Sequence, residues 1–324
     1  MVKQYVKTYV CTPSIRLILT ALAAKVYTKV SELDAEFAYS KEPVPFALLK
    51  AQKFTKIKRG EVWNRDNFGC AWFHFSGKLP PADKGRLALL ISLQGEGVTV
   101  NGNGTPELFV TKVQSFADQQ QPASGKKEIP LDERLCKDGA IDFYLEAGSN
   151  YVIKETGVKL AKFKQADVVL VNDGIKGLYY DIFSFVFESV TIKDKEIAKK
   201  LKAACVKAYK LAGGFSDSSL KAAREYIASV KTALKKQGGY KIFATGHAHL
   251  DLAWQWPVRE TQRKAGRTFA NALLMLDKYP GYVFGASQPQ QFEWMERQHP
   301  ELFARIKEKV DSGKIELQGG MWVE

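Results

Sequence analysis

The 324-residue chain is 45% hydrophobic and 26% charged, the balance of a soluble globular protein with material for two or three cores. Its formal charge of +13 invites a nucleic-acid or membrane partner. Residues 238–324 are nearly neutral, however, and the excess is lysine scattered over residues 1–237 without arginine and aromatic interleaving, so neither partner is expected. Cys11, Cys70, Cys136 and Cys205 lie far apart with no CxxC pair, which suits reduced thiols in the cytoplasm.

Taken in chain order, the opening MVKQYVK followed by LILTALAA loosely imitates a secretory leader, but Pro13, Ser14 and Arg16 interrupt it. The expectation for residues 1–45 is an amphipathic helix over 14–33, with Leu17, Leu19, Leu22 and Val26 on its buried face. Residues 46–192 change to short alternating segments. Strands are predicted at 71–77, 86–94, 98–102, 141–148 and 181–192, separated by turn-rich KLPPADKG, GNGTPE and QQQPASGKK. Many short strands at this spacing imply an antiparallel β-sandwich, jelly-roll-like in character. Trp63 and Trp72 suit either a sugar-binding face or a core, and the core is the expectation. His74 has no acidic neighbour in the sequence and is read as structural.

Residues 193–237 read as a helical linker, two lysine-covered amphipathic helices parted by GGFSDSS, with Ser216 to Ser219 capping the second. Beyond 238, strand and helix alternate. A buried strand at 240–245, a helix at 259–278, a strand at 282–287, a helix at 291–309 and a strand at 314–318 imply a parallel sheet. HAHLD, SQPQ and GGMWVE then fall at the carboxyl ends of strands, where α/β proteins gather their sites. In HAHLD, residues two apart share a side of an extended chain, so His249 and Asp251 can reach one divalent ion together. Two ligands are too few for a zinc site, and the same spacing also fits histidines satisfied by backbone carbonyls. His299, beside Pro300 on a helix, has a surface reading.

Residues 246–294, GHAHLDLAWQWP through ASQPQQFEW, and residues 318–323, QGGMWV, resemble the glycoside hydrolase family 38 α-mannosidases in residues, order and spacing, most closely the bacterial and cytosolic members. In the sandwich, AWF, the GEG turn at Gly95 to Gly97, and Asn101 with Gly102 resemble the cytosolic-type members as well. The resemblance implies a multidomain fold, α/β plus all-β: a sandwich, a helical linker, then at 238–324 the first part of a (β/α)7-type barrel. It implies a retaining α-mannosidase with Zn2+ as cofactor and α-mannosides as partners. His249 and Asp251 match zinc ligands, Trp254 matches the aromatic platform beneath the mannose, and His247 is expected to orient the loop from behind. Gln288, Gln290 and Glu293 are weaker candidates for lining the cleft.

The family's nucleophilic aspartate, a further zinc-binding histidine and the acid/base carboxyl have no counterpart up to Glu324, so no catalytic residue is assigned. The expectation is an N-terminal part that is inactive alone and self-associates through an incomplete barrel. The alternative is a non-catalytic carbohydrate-binding or interaction module. A carbohydrate deacetylase on a related barrel would need an HxxxH pair, which the chain lacks.

Overall fold

The computed structural model describes residues 13–81, 85–111, 127–149, 160–234, 241–254, 256–319 and 321–323. Helix α1 (Pro13–Val26) opens on proline, tolerated in a first turn because no intrahelical N–H is required there. Ile15, Ile18, Leu19, Leu22 and Val26 recur at helical spacing and are buried, whereas Leu17 falls between them and is 71% exposed, off the expected face. The helix also ends earlier than the pattern suggests. Tyr27 begins β1 (Tyr27–Glu32), which pairs antiparallel with the distant β11 (Gln165–Val171), and this long-range ladder overrides local helix preference.

Two antiparallel sheets form the sandwich. One has the order β1, β11, β5 (Arg86–Ser92) and β8 (Glu128–Pro130). The other has the order β3 (Thr55–Lys56), β2 (Asp34–Ser40), β4 (Cys70–Lys78), β10 (Ala140–Gly148), β6 (Glu96–Val100) and β7 (Pro106–Val110), and β9 (Cys136–Lys137) also pairs with β10. Strand alternation sends Phe73, Phe75, Leu145, Leu89, Ile91 and Val168 into one core between the sheets, as expected for a jelly roll. Trp63 and Trp72 are both buried, and their indole N–H groups donate to Leu93 O (2.7 Å) and Val44 O (2.8 Å). They are structural tryptophans. His74 does have acidic neighbours: strand pairing brings Asp142 to 3.3 Å and Glu36 to 3.9 Å, and its ring stacks on Tyr144 at 4.7 Å. Those partners are distant in sequence, which is why the linear reading missed them.

The predicted strand at 181–192 is instead the second half of helix α2 (Asp173–Thr191). Its β-branched and aromatic composition suggests a strand, but Ile175, Leu178, Tyr179, Ile182, Phe185, Val186 and Ser189 bury one helical stripe. The Asn172 side chain caps it, accepting from Ile175 N at 2.8 Å. Helices α3 (Lys195–Leu211) and α4 (Asp217–Leu234) follow, with Asp194 capping the first and Ser216 Oγ accepting from Ser219 N at the start of the second. With α1 and α2 they bury Leu201, Cys205, Leu220 and Ile227 against Ala88, Leu90, Val169 and Val171. The segment expected as a linker is thus a helical layer over the outer face of the first sheet.

The last part is a parallel sheet in the order β12 (Gly246–His247), β13 (Phe284–Ala286), β14 (Ile315–Leu317), crossed by α5 (Val258–Lys278), α6 (Pro289–Gln298) and α7 (Pro300–Asp311). Two expectations fail here. Residues 241–245 form no strand, and Ile242 and Phe243 are 90% and 91% exposed; pairing begins only at Gly246, opposite the first residue of β13. Tyr240 lies outside the described residues. The helix expected over 291–309 is two helices, because Pro300 lacks the N–H that would continue α6. His299 sits at that break, packed over Gly266, and burial lowers its pKa, so the surface reading is also wrong.

Helix α5 is bolted to the sandwich. Lys264 Nζ lies 2.8 and 2.9 Å from the two oxygens of Glu96 on β6, and Arg267 reaches Glu96 at 3.0 Å and also binds Glu260. Arg263 donates to Ala147 O (2.7 Å) and to Glu260 (2.7 Å), and pairs with Glu146. Nearby, Glu301 in the first turn of α7 accepts from Asn101 Nδ2 (3.0 Å) and Thr105 Oγ1 (2.8 Å). The GEG turn has a physical explanation in this contact. A Cβ at Gly95 would come 2.5 Å from the backbone oxygen of Gly148, so glycine is required there for β6 to lie close to β10 with Glu96 against α5, and a Cβ at Gly97 would press on the Leu145 side chain at 2.5 Å. No helix among the described residues is long and apolar enough to cross a membrane.

Candidate metal and sugar site

The site grows from the end of β12. Gly246 leaves room for the Tyr282 ring, whose hydroxyl would lie 2.0 Å from a Cβ there and would have to shift for any larger residue. His247 Nδ1 lies 3.0 Å from Gly285 O on β13; a carbonyl only accepts, so this contact places the ring proton on Nδ1 and anchors the chain as it leaves the sheet. Past His247 no strand is formed, yet the two-residue alternation persists. Ala248, Leu250 and Leu252 pack against the barrel core, and His249 and Asp251 turn the other way.

His249 Nε2 and Asp251 Oδ1 are 3.3 Å apart, both partly open to solvent. Zinc takes imidazole nitrogen and carboxylate oxygen at about 2.0–2.2 Å, and tetrahedral geometry puts two such donors roughly 3.3–3.5 Å from each other. The donor types and their spacing therefore fit one edge of a zinc site. Among the described residues no third His, Cys, Asp or Glu completes it. Trp254 stands nearby on the same loop, 55% exposed, with its ring edge-to-face with Trp256 at 5.5 Å.

The loop is held from beneath. Gln288, buried at the end of β13, donates its side-chain amide to Leu250 O at 2.7 Å. Thr261 Oγ1 on α5 donates to Leu252 O at 2.7 Å and accepts the Trp256 indole N–H at 2.9 Å. Of the three residues read as weaker cleft candidates, Gln288 is thus engaged with the loop backbone. Gln290 accepts from Trp322 Nε1 (2.9 Å) and binds Glu293, which pairs with Arg297 at 2.9 Å. Gln318 N donates to Ala286 O (2.8 Å), so the three strand-end segments converge at one end of the sheet. Thr261 and Trp256 escaped the sequence reading. Their only signal was position, a hydroxyl in the first turn of a helix and an indole just before it.

The described residues thus combine a jelly roll with a parallel sheet whose first strand runs into His249 and Asp251. Residues 28–169 match the family model described as alpha-mannosidase, jelly roll domain, and residues 239–324 match that of the glycosyl hydrolases family 38 N-terminal domain. Together the two matches support a glycosyl hydrolase family 38 N-terminal part of the α-mannosidase type. The chain is 44% identical over 85 residues to alpha-mannosidase 2C1 of Homo sapiens and 43% over 84 residues to alpha-mannosidase G of Dictyostelium discoideum, each alignment covering 26% of this chain and 8% of the relative. It is 37% identical over 108 residues to the alpha-mannosidase of Saccharomyces cerevisiae, covering 31% of this chain and 10% of that one. The matched part of the chain thus spans a tenth or less of the length of these relatives.

Proposed function

We propose that this chain is the N-terminal part of a zinc-dependent, retaining α-mannosidase, acting on terminal α-mannosides in the cytoplasm. The observation that carries the reading is the pair of metal-type donors, His249 and Asp251, set 3.3 Å apart just past the first strand of a parallel sheet, with the exposed Trp254 three residues further along the chain. Bound zinc would supply electrostatic grip on sugar hydroxyls. His249 and Asp251 would hold it, and His247 keeps the loop in register through Gly285 O. Trp254 offers a π face on which the C–H face of a mannose can stack, and that face also favours the positive charge developing at the anomeric carbon. Thiols at Cys70 and Cys136 suit a reducing compartment.

Retention of configuration needs two carboxyl groups about 5–5.5 Å apart, one attacking and one exchanging a proton. Near the site, Asp251 is engaged by His249 and Glu293 by Gln290 and Arg297. A polypeptide of these 324 residues is therefore expected to bind zinc weakly and to hydrolyse no mannoside. The test joins it to the C-terminal part of the yeast relative and assays mannose release with and without a chelator. Zinc-dependent release is expected, falling more than about 100-fold with His249→Ala or Asp251→Ala. A folded, cooperatively melting chimera that releases no mannose would sink the reading. The buried state of Trp63 and Trp72 removes the main reason to assign sugar binding to the sandwich.

A further inference from the structure

We propose that Thr261 is the positioning residue of the loop that carries His249, Asp251 and Trp254, and that Trp256, Lys264 and Glu96 extend this support to the sandwich. The proposal rests on the reading of His249 and Asp251 as zinc ligands. Thr261 is fully buried in the first turns of α5. A helical threonine commonly gives its proton to the carbonyl four residues back. Here the hydroxyl donates to Leu252 O at 2.7 Å, with Asp251 O at 3.3 Å, and accepts from Trp256 Nε1 at 2.9 Å. One oxygen thus closes the loop from Asp251 to Trp256.

Leu250 O, between the two metal-type donors, is held by Gln288 at 2.7 Å. The carbonyls of the two inward leucines are therefore both pinned, and alternation leaves His249 and Asp251 facing outward on one side. A pair pre-set in this way needs less ordering when an ion arrives. The support does not stop at α5. The Lys264 ammonium sits over the Trp256 ring, 5.0 Å from its centroid, and the same ammonium contacts both oxygens of Glu96 at 2.8 and 2.9 Å. A continuous set of contacts runs from sandwich strand β6 to the metal loop.

The test uses the 324-residue chain with Thr261→Val, which keeps the shape and loses the hydroxyl, and Thr261→Ser, which restores it. Amide hydrogen exchange is read over residues 246–254 without metal, and Zn2+ affinity by competition with a chromophoric chelator. Thr261→Val should speed exchange in that segment about 5- to 10-fold, the loss of one hydrogen bond, while the helical layer at 173–234 is unchanged. Zinc affinity should fall roughly 10- to 100-fold, and serine should restore both. Unchanged exchange at 246–254, or unchanged affinity in a protein that binds zinc, overturns the positioning role. Exchange that responds to valine and recovers with serine in a protein that never binds zinc upholds loop positioning and refutes the metal reading instead. Should valine loosen the whole molecule, Trp256→Phe decides, because it removes the indole N–H donor to Thr261 while leaving Thr261 itself and an aromatic ring in place: local acceleration supports the proposal and none overturns it.

Discussion

Glu260 shows what the buried charges do at the scale of one residue. It is almost fully buried, bound to Arg267 and to Arg263 (2.7 Å), within a set that also holds Glu96, Glu146 and Lys264. Burial pushes its carboxyl upward, but the guanidinium groups of Arg267 and Arg263 outweigh that and hold its pKa below the ordinary range. Among the described residues Arg267 Nε and Nη1 find no acceptor, so the network is incompletely satisfied and its net stabilisation is small. Breaking it is another matter. Glu260→Gln leaves buried cations uncompensated and should cost about 3–5 kcal/mol in chemical denaturation. The sign with pH follows from the depressed pKa: Glu260 contributes fully above its unfolded value of about 4.3, and the contribution is lost as pH falls from there through the lower folded value. The glutamine variant should show a flatter stability curve in that acid window, and an unchanged slope would contradict the assignment. None of this was legible in the sequence. Glu260, Arg263, Lys264 and Arg267 share one helical stripe that reads as a solvated face, and only the approach of β6 and β10 buries it. The closeness of His249 and Asp251 was legible because their alternation is local.

Helix α2 makes the corresponding point for an element. Its text is rich in isoleucine, phenylalanine and valine, and by composition it reads as a strand. The decisive features are the 3.6-residue stripe from Ile175 to Ser189 and the Asn172 cap upstream of the part that misled. Asn172→Ala should therefore lower stability by about 1 kcal/mol, while Asn172→Asp, which keeps the acceptor, should cost little. Urea unfolding followed by far-ultraviolet circular dichroism measures this, and equal losses in the two variants would show that the side-chain acceptor is not what matters. Where burial alternates cleanly, as at Phe73 and Phe75 in β4 or Leu145 in β10, strands were readable. Where an element ends because of distant pairing, as α1 does at Tyr27, or begins late, as β12 does at Gly246, the sequence carried no local sign.

At the scale of the molecule, the barrel segment is fixed to the sandwich but its sheet is open. The Glu96 and Glu260 network and the Glu301 clasp give it a firm seat on one side. On the other, among the described residues, β12 and β14 each keep an unpaired edge, and Ile242, Phe243, Leu317, Met321 and Trp322 are exposed. Unpaired edges beside apolar side chains favour association with another chain. Covering Ile242 and Phe243 would be worth about 1.5–3 kcal/mol each, so their removal should weaken association by roughly two to four orders of magnitude. The expected outcome is that a polypeptide of these 324 residues forms oligomers in a concentration-dependent way, and that Ile242→Ser combined with Phe243→Ser shifts it toward monomer. Sedimentation velocity across a range of concentrations reads this directly. Identical sedimentation of the two proteins, with the helical layer intact by circular dichroism, would show that this apolar surface does not drive assembly.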